Sequence, residues 1–124
     1  MAQNTVVVGE IAPMEMFLIG IEKTNDTYTL TYKDQHSKDF NALRNFSFKE
    51  SSFESLYSTL SKGFDTIPAD IKMEFSGIMV VIHYEKQSEH VMVRFMEVDK
   101  AASVLGYSQF LTKSQIETIF GKKH

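Results

Sequence analysis

Between Ile71 and Val98 apolar side chains return at every second position, the period of a β-strand. Ser76-Gly77 and Gln87-Ser88 break the pattern where two-residue turns belong. With those turns Ile71, Met73 and Phe75 lie beside Ile82, Val80 and Ile78, and Val91, Val93 and Phe95 beside Tyr84, Ile82 and Val80. Both turns put the apolar sets on one face, and a one-residue slip would scatter them, so a three-stranded meander is predicted. Its opposite face is unusual. Lys72, Glu74, Met79, Val81, His83, Glu85, His90, Met92, Arg94 and Met96 share it, with Lys72, Val81 and Arg94 in one cross-strand row and Glu74, Met79 and Met96 in another. A strand with one face in a core needs only one apolar face.

Shorter patterns precede this segment. Residues 5–11 read as a short strand through Val6 and Val8. Phe17, Ile19 and Ile21 alternate with Leu18, Gly20 and Glu22, and beyond Asn25-Asp26 the residues Tyr28, Leu30 and Tyr32 alternate with threonines. A two-residue turn sets Ile21 opposite Leu30 and Ile19 opposite Tyr32, leaving Glu22 with Thr29 on a polar face. Residues 33–50 are mixed, with Phe40, Leu43, Phe46 and Phe48 read as buried anchors and residues 45–48 as a short strand.

Helical spacing appears twice. Phe53, Leu56, Tyr57 and Leu60 follow the i, i+3, i+4, i+7 stripe. Ser51 and Glu54 have capping-box spacing ahead of it, and Gly63 suits a left-handed stop. Thr112 and Gln115 repeat the box before Ile116, Ile119 and Phe120, Gly121 closes that helix, and Lys122, Lys123 and His124 complement its C-terminus. Lys100 to Leu105, halted by Gly106, reads as a further short helix.

The predicted fold is a single α+β domain over residues 1–124. It has an antiparallel five- to six-stranded sheet, a hairpin plus a three-stranded meander, with helices near 52–62 and 113–120 on one face. A chain of 124 residues is long enough for one real core and too short for two. A net charge of −3 argues against nucleic acid and anionic membranes as partners, because both select clustered Lys and Arg. The first ten residues lack the basic and apolar regions of a signal peptide, so a cytoplasmic location is expected. The absence of cysteine excludes disulfides, thiolate metal sites and cysteine nucleophiles.

Little chemistry is legible. The meander brings His83, Glu85 and His90 close, with Glu85 opposite His90, and imidazole with carboxylate suits zinc or manganese. A rigid third ligand is not evident, and a charge pair at a hairpin tip accounts for the same residues. No metal and no cofactor is assigned. Ser51 and Ser52 read as caps, and Ser55, Ser58 and Ser61 as the wet side of a helix, without a GxSxG elbow or a glycine-rich phosphate loop. No catalytic residue is assigned. Lys72 and Arg94 are balanced by Glu74 and Glu85, and exposed stacking aromatics are missing, which again disfavours nucleic acid.

These exclusions leave a non-catalytic protein-interaction domain of the inhibitor, immunity, chaperone or phage-accessory kind, bound to a protein partner or to a second copy as a homodimer. Its contact residues are Lys72, Glu74, Met79, Val81, His83, Met92, Arg94 and Met96, in which flexible methionines are ringed by charge. Two plainer readings compete. The C-terminal segment covers the face with Phe110 and Leu111, or Lys and Arg stems lie across it. The alternative function is a small-ligand-binding domain or enzyme with a pocket between the 52–62 helix and the sheet, near Tyr32, Tyr57 and Tyr84. For those tyrosines packed core is the commoner role.

Overall fold

The computed structural model describes residues 4–122. The elements are β1 (Thr5–Ile11), a 3-10 turn (Pro13–Glu15), β2 (Ile19–Thr24), β3 (Thr27–Lys33), β4 (Leu43–Lys49), α1 (Glu50–Thr66), β5 (Ile71–Phe75), β6 (Ile78–Gln87), β7 (His90–Val98), β8 (Val104–Tyr107) and α2 (Lys113–Ile119). The class is α+β, but the expected sheet of five to six strands is replaced by two four-stranded antiparallel meanders, β1-β2-β3-β4 and β5-β6-β7-β8. The reason is α1. Its 17 residues carry the chain about 26 Å at the helical rise, so β5 starts a new sheet instead of extending the first. Nor do the helices share one face of one sheet. The first contacts β3, β4 and β7, and the second contacts β1, β2 and β7, so each turns one buried face toward both sheets.

That interior is one core. Phe46 stacks on Phe75 at 5.0 Å and meets Phe95 at 5.9 Å, joining the sheets, while Phe53 links Tyr28 at 4.2 Å to Phe120 at 5.2 Å. The Asn25-Asp26 hairpin has its expected register, Ile21 opposite Leu30 and Ile19 opposite Tyr32. The helix stripe of Phe53, Leu56 and Leu60 is buried and continues to Phe64. Phe40 and Leu43 are not anchors. They stand 70% and 55% exposed, because side-chain turns on Ser37 and Asp39 hold residues 37–42 in a surface loop, and Phe46 and Phe48 take the inner phase of β4.

Three local expectations fail for tertiary reasons. The Ser51–Glu54 box does not form, since α1 starts straight from β4 at Lys49 and the Glu50 amide donates to the Asp26 carbonyl at 2.8 Å. Gly63 does not end the helix; a Cβ there would overlap the Tyr84 ring, so the glycine admits that ring, and the end is Ile67 in the left-handed region. Lys100 to Leu105 is not helical. The Asp99 carboxylate accepts the amides of Ala101 and Ser103, each at 2.9 Å, and this turn feeds β8 back along β7. The Thr112–Gln115 box does form in both directions, at 2.9 and 3.1 Å. Of the basic C-terminus, Lys123 and His124 lie outside the described residues, and Lys122 reaches Glu54 at 2.7 Å. Among the described residues no helix is long and apolar enough to cross a membrane.

Candidate functional site

The second turn of the meander is Ser88-Glu89, one residue later than expected, with Ser88 at φ 54°. A small serine takes that left-handed position more readily than Gln87 would. Moving the turn by one residue moves every partner by two, so faces are kept and rows change. Val80 pairs with Glu97, Ile82 with Phe95 and Tyr84 with Val93. On the outer face Lys72, Val81, Met96 and Tyr107 form one row, and Glu74, Met79, Val98 and Val104 another. Arg94 lies opposite His83 rather than beside Val81, Met92 lies opposite Glu85, and His90 pairs with Gln87.

These two rows, apart from Tyr107, line a concavity of about 570 Å³. Val81 is its floor, only 6% exposed despite facing outward, and Met79 and Met96 are half-buried beside it. Leu105, 43% exposed at the bulge of β8, forms the far wall, and Lys72 and Glu74 form the rim along β5. Five of the expected contact residues therefore meet in one place: Lys72, Glu74, Met79, Val81 and Met96. The pattern along the chain missed others of the lining, among them Val98, Val104, Leu105, Arg44 and Asp70. Asp99 held the available signal, because aspartate is a turn former, and here its carboxylate starts the turn into the return strand.

The remaining three residues lie elsewhere on the face. Arg94 is sandwiched between Tyr107 and Phe110, its guanidinium 4.2 and 4.0 Å from the ring centres, and its Nε donates to the Ser108 carbonyl at 3.1 Å. Phe110 thus covers this half, whereas Leu111 turns inward to the core and pairs with Val93. His83 stands between two carboxylates, Nδ1 at 2.7 Å from Asp70 and Nε2 at 3.0 Å from Glu85. The Asp70 hydrogen bond, with a lesser one from Glu85, raises the imidazole pKa, and His83 in turn lowers that of Glu85. Met92 sits half-buried across from Glu85.

Behind the concavity a buried carboxylate ties the sheets together. Glu97, 1% exposed, accepts the Tyr32 hydroxyl and the Arg44 Nε at 3.2 Å on one oxygen. Burial and then the Glu97 bond push the Tyr32 pKa far upward, so the hydroxyl keeps its proton and remains a donor. Beside it Asp34 accepts the Tyr107 amide at 3.2 Å, and the Gln35 amide donates to the Tyr107 carbonyl at 2.8 Å. Tyr84 is buried with its hydroxyl on the Leu60 carbonyl at 2.6 Å, and Tyr57 packs against Phe120 at 5.4 Å. Tyr32, Tyr57 and Tyr84 thus each contact the chain's own residues by a hydrogen bond or ring packing. Among the described residues no group of three or more His, Asp or Glu is placed to hold a metal ion.

Comparison with family models, curated proteins and solved structures finds no match, so the fold and the site rest on the chain's own residues.

Proposed function

We propose that the chain is a non-catalytic protein-interaction domain that binds a protein partner, or a second copy of itself, through the outer face of β5 to β8. One observation carries this reading: a concavity floored by Met79, Val81 and Met96 and rimmed by Lys72 and Glu74 opens on the side of the sheet away from the core. Apolar area left in water costs roughly 25 cal/mol per Å², and a partner that covers it recovers that energy. Methionines adapt their shape to what they cover, and the mixed rim sets orientation more than affinity. The Arg94 side of the expected surface drops out of the proposal, since Phe110 already covers it.

The competing small-ligand reading keeps one support, the volume of the same concavity, because the space between α1 and the sheets is packed by Tyr84, Leu60 and Phe64. A Met96→Glu variant separates the readings. Wild type and variant are compared by sedimentation, alone and with proteins encoded beside the gene, after matched thermal melts show both folded. Association lost in the variant supports the proposal. Association unchanged in the variant rejects this face, and a metabolite that raises the wild-type melting temperature without any association favours the ligand reading.

A further inference from the structure

We propose that the concavity takes the C-terminal residue of a protein partner, its apolar side chain on the floor, its carboxylate on Arg44 and its peptide N–H on Glu97. The inference rests on the interaction reading above and names the chemistry of the partner. It starts from a polar pair set in an apolar wall. Arg44 comes from β4 of the first sheet and Glu97 from β7 of the second, and both line the concavity beside Met79, Val81 and Met96. Gly106 of β8 leaves the room that Arg44 occupies, since a Cβ there would stand 2.3 Å from the Arg44 Cδ.

Each member of the pair is only partly used. Arg44 donates its Nε to Glu97 at 3.2 Å, and its two terminal nitrogens have no hydrogen-bond partner among the described residues. The side chain is 34% exposed, so those nitrogens are open to a ligand. Glu97 accepts Arg44 and Tyr32 on the same oxygen. Its other oxygen has no partner among the described residues, yet no fully buried side-chain oxygen among them lacks one. That oxygen therefore keeps access to solvent, on the side where Glu97 lines the concavity.

The charges around the pair favour an anion. Asp70 is held by His83, and the Asp99 carboxylate accepts two amides of its own turn. Lys72 and Lys100 have no carboxylate within ion-pair distance among the described residues, and Glu74 is the acid of the lining left to oppose them. A guanidinium with both terminal nitrogens open offers a carboxylate two parallel hydrogen bonds. An alkanoate would meet the open Glu97 oxygen with no donor to give it. The last residue of a peptide carries an N–H and a carboxylate on the same Cα as its side chain. It thus supplies a donor for Glu97, an acceptor for Arg44 and an apolar group for the methionine floor, which adapts to its shape.

The test is titration of ¹³C-methionine-labelled protein with N-acetylated pentapeptides ending in leucine, phenylalanine or methionine, with the same peptides as C-terminal amides, and with octanoate. The methyl signals of Met79 and Met96 are expected to follow an acid peptide, with a Kd at least about tenfold below that of its amide and of octanoate. Arg44→Lys keeps a cation beside Glu97 but loses the paired donors, and is expected to erase the preference for acid over amide. The comparison of acid with amide on wild type decides the matter even where that variant does not fold. Equal binding of acid and amide overturns the role of the carboxylate. Octanoate bound as tightly as the peptides overturns a peptide as occupant and favours the small-ligand reading. Signals unmoved by every peptide overturn the inference, and the interaction reading then stands or falls on the Met96→Glu association measurement.

Discussion

Arg94 places its guanidinium 4.0 Å from the centre of the Phe110 ring, and that contact divides the outer face of the second sheet into a covered half and an open half. On the covered side Phe110 takes the place that a partner would have, and on the open side Val81 floors a concavity. A double-mutant cycle of Arg94→Ala and Phe110→Ala is expected to give a coupling of about 0.5–2 kcal/mol, the range of cation–π pairs from exposed to desolvated. Denaturant unfolding reads it. Strict additivity would mean that the ring merely rests near the cation.

Gly63 and Tyr84 form a second matched pair. Alanine in place of Gly63 would raise helix propensity by up to about 1 kcal/mol, yet its methyl would enter the Tyr84 ring, and overpacking costs about 1–3 kcal/mol. The packing effect wins, so Gly63→Ala is expected to lower the denaturant midpoint. A stabilised variant would show that the ring yields freely and that the glycine answers no steric need.

Glu97 serves Tyr32 and Arg44 from inside the core. Removing it as Glu97→Ala leaves a guanidinium and a hydroxyl without their acceptor, at a cost of about 3 kcal/mol. Glu97→Gln keeps an acceptor oxygen and is expected to cost clearly less. Equal losses in urea unfolding would place the effect in the carboxylate's charge instead of in the acceptor oxygen.

His83 makes stability depend on pH. Its folded pKa is raised above the 6.5 of a free imidazole, chiefly by Asp70, so its contribution is whole below about pH 6.5 and fades as pH rises through the folded value. Glu85 is lowered from 4.5 by His83, so its share is present above that value and fades as pH falls through the folded one. Both contributions coexist between about pH 4.5 and 6.5. The wild type is therefore expected to exceed His83→Ala in stability most at about pH 5.5 and least at about pH 9, with Arg94 facing His83 across the pair and limiting the gain. A difference that grows toward alkaline pH would reverse the assigned charge state.

Much of the fold was legible because hairpins are local. Ile21 with Leu30 and Met73 with Val80 follow from a turn and a period of two, and the one-residue error at Ser88 left the faces intact. What failed depended on distant partners. The start of α1 is satisfied by the Asp26 carbonyl, a residue in another hairpin, so a local capping box was redundant. Lys100 to Leu105 contains good helix formers, and only pairing with β7 makes its end a strand. The concavity was half visible for the same reason. Met79, Val81 and Met96 share a phase in their own segment, whereas Leu105 joins through β8 and Arg44 arrives from the first sheet.

The most direct measurement is methyl NMR of ¹³C-methionine-labelled protein across a dilution series, because methionines lie inside and outside the concerned surface. If the concavity is the contact surface, the methyl signals of Met79 and Met96 shift together as the protein associates with itself or with an added partner, while those of Met73 on the inner face and Met92 beside Glu85 stay in place. Signals of Met79 and Met96 that hold still while the protein associates, or a shift confined to Met92, would contradict the account.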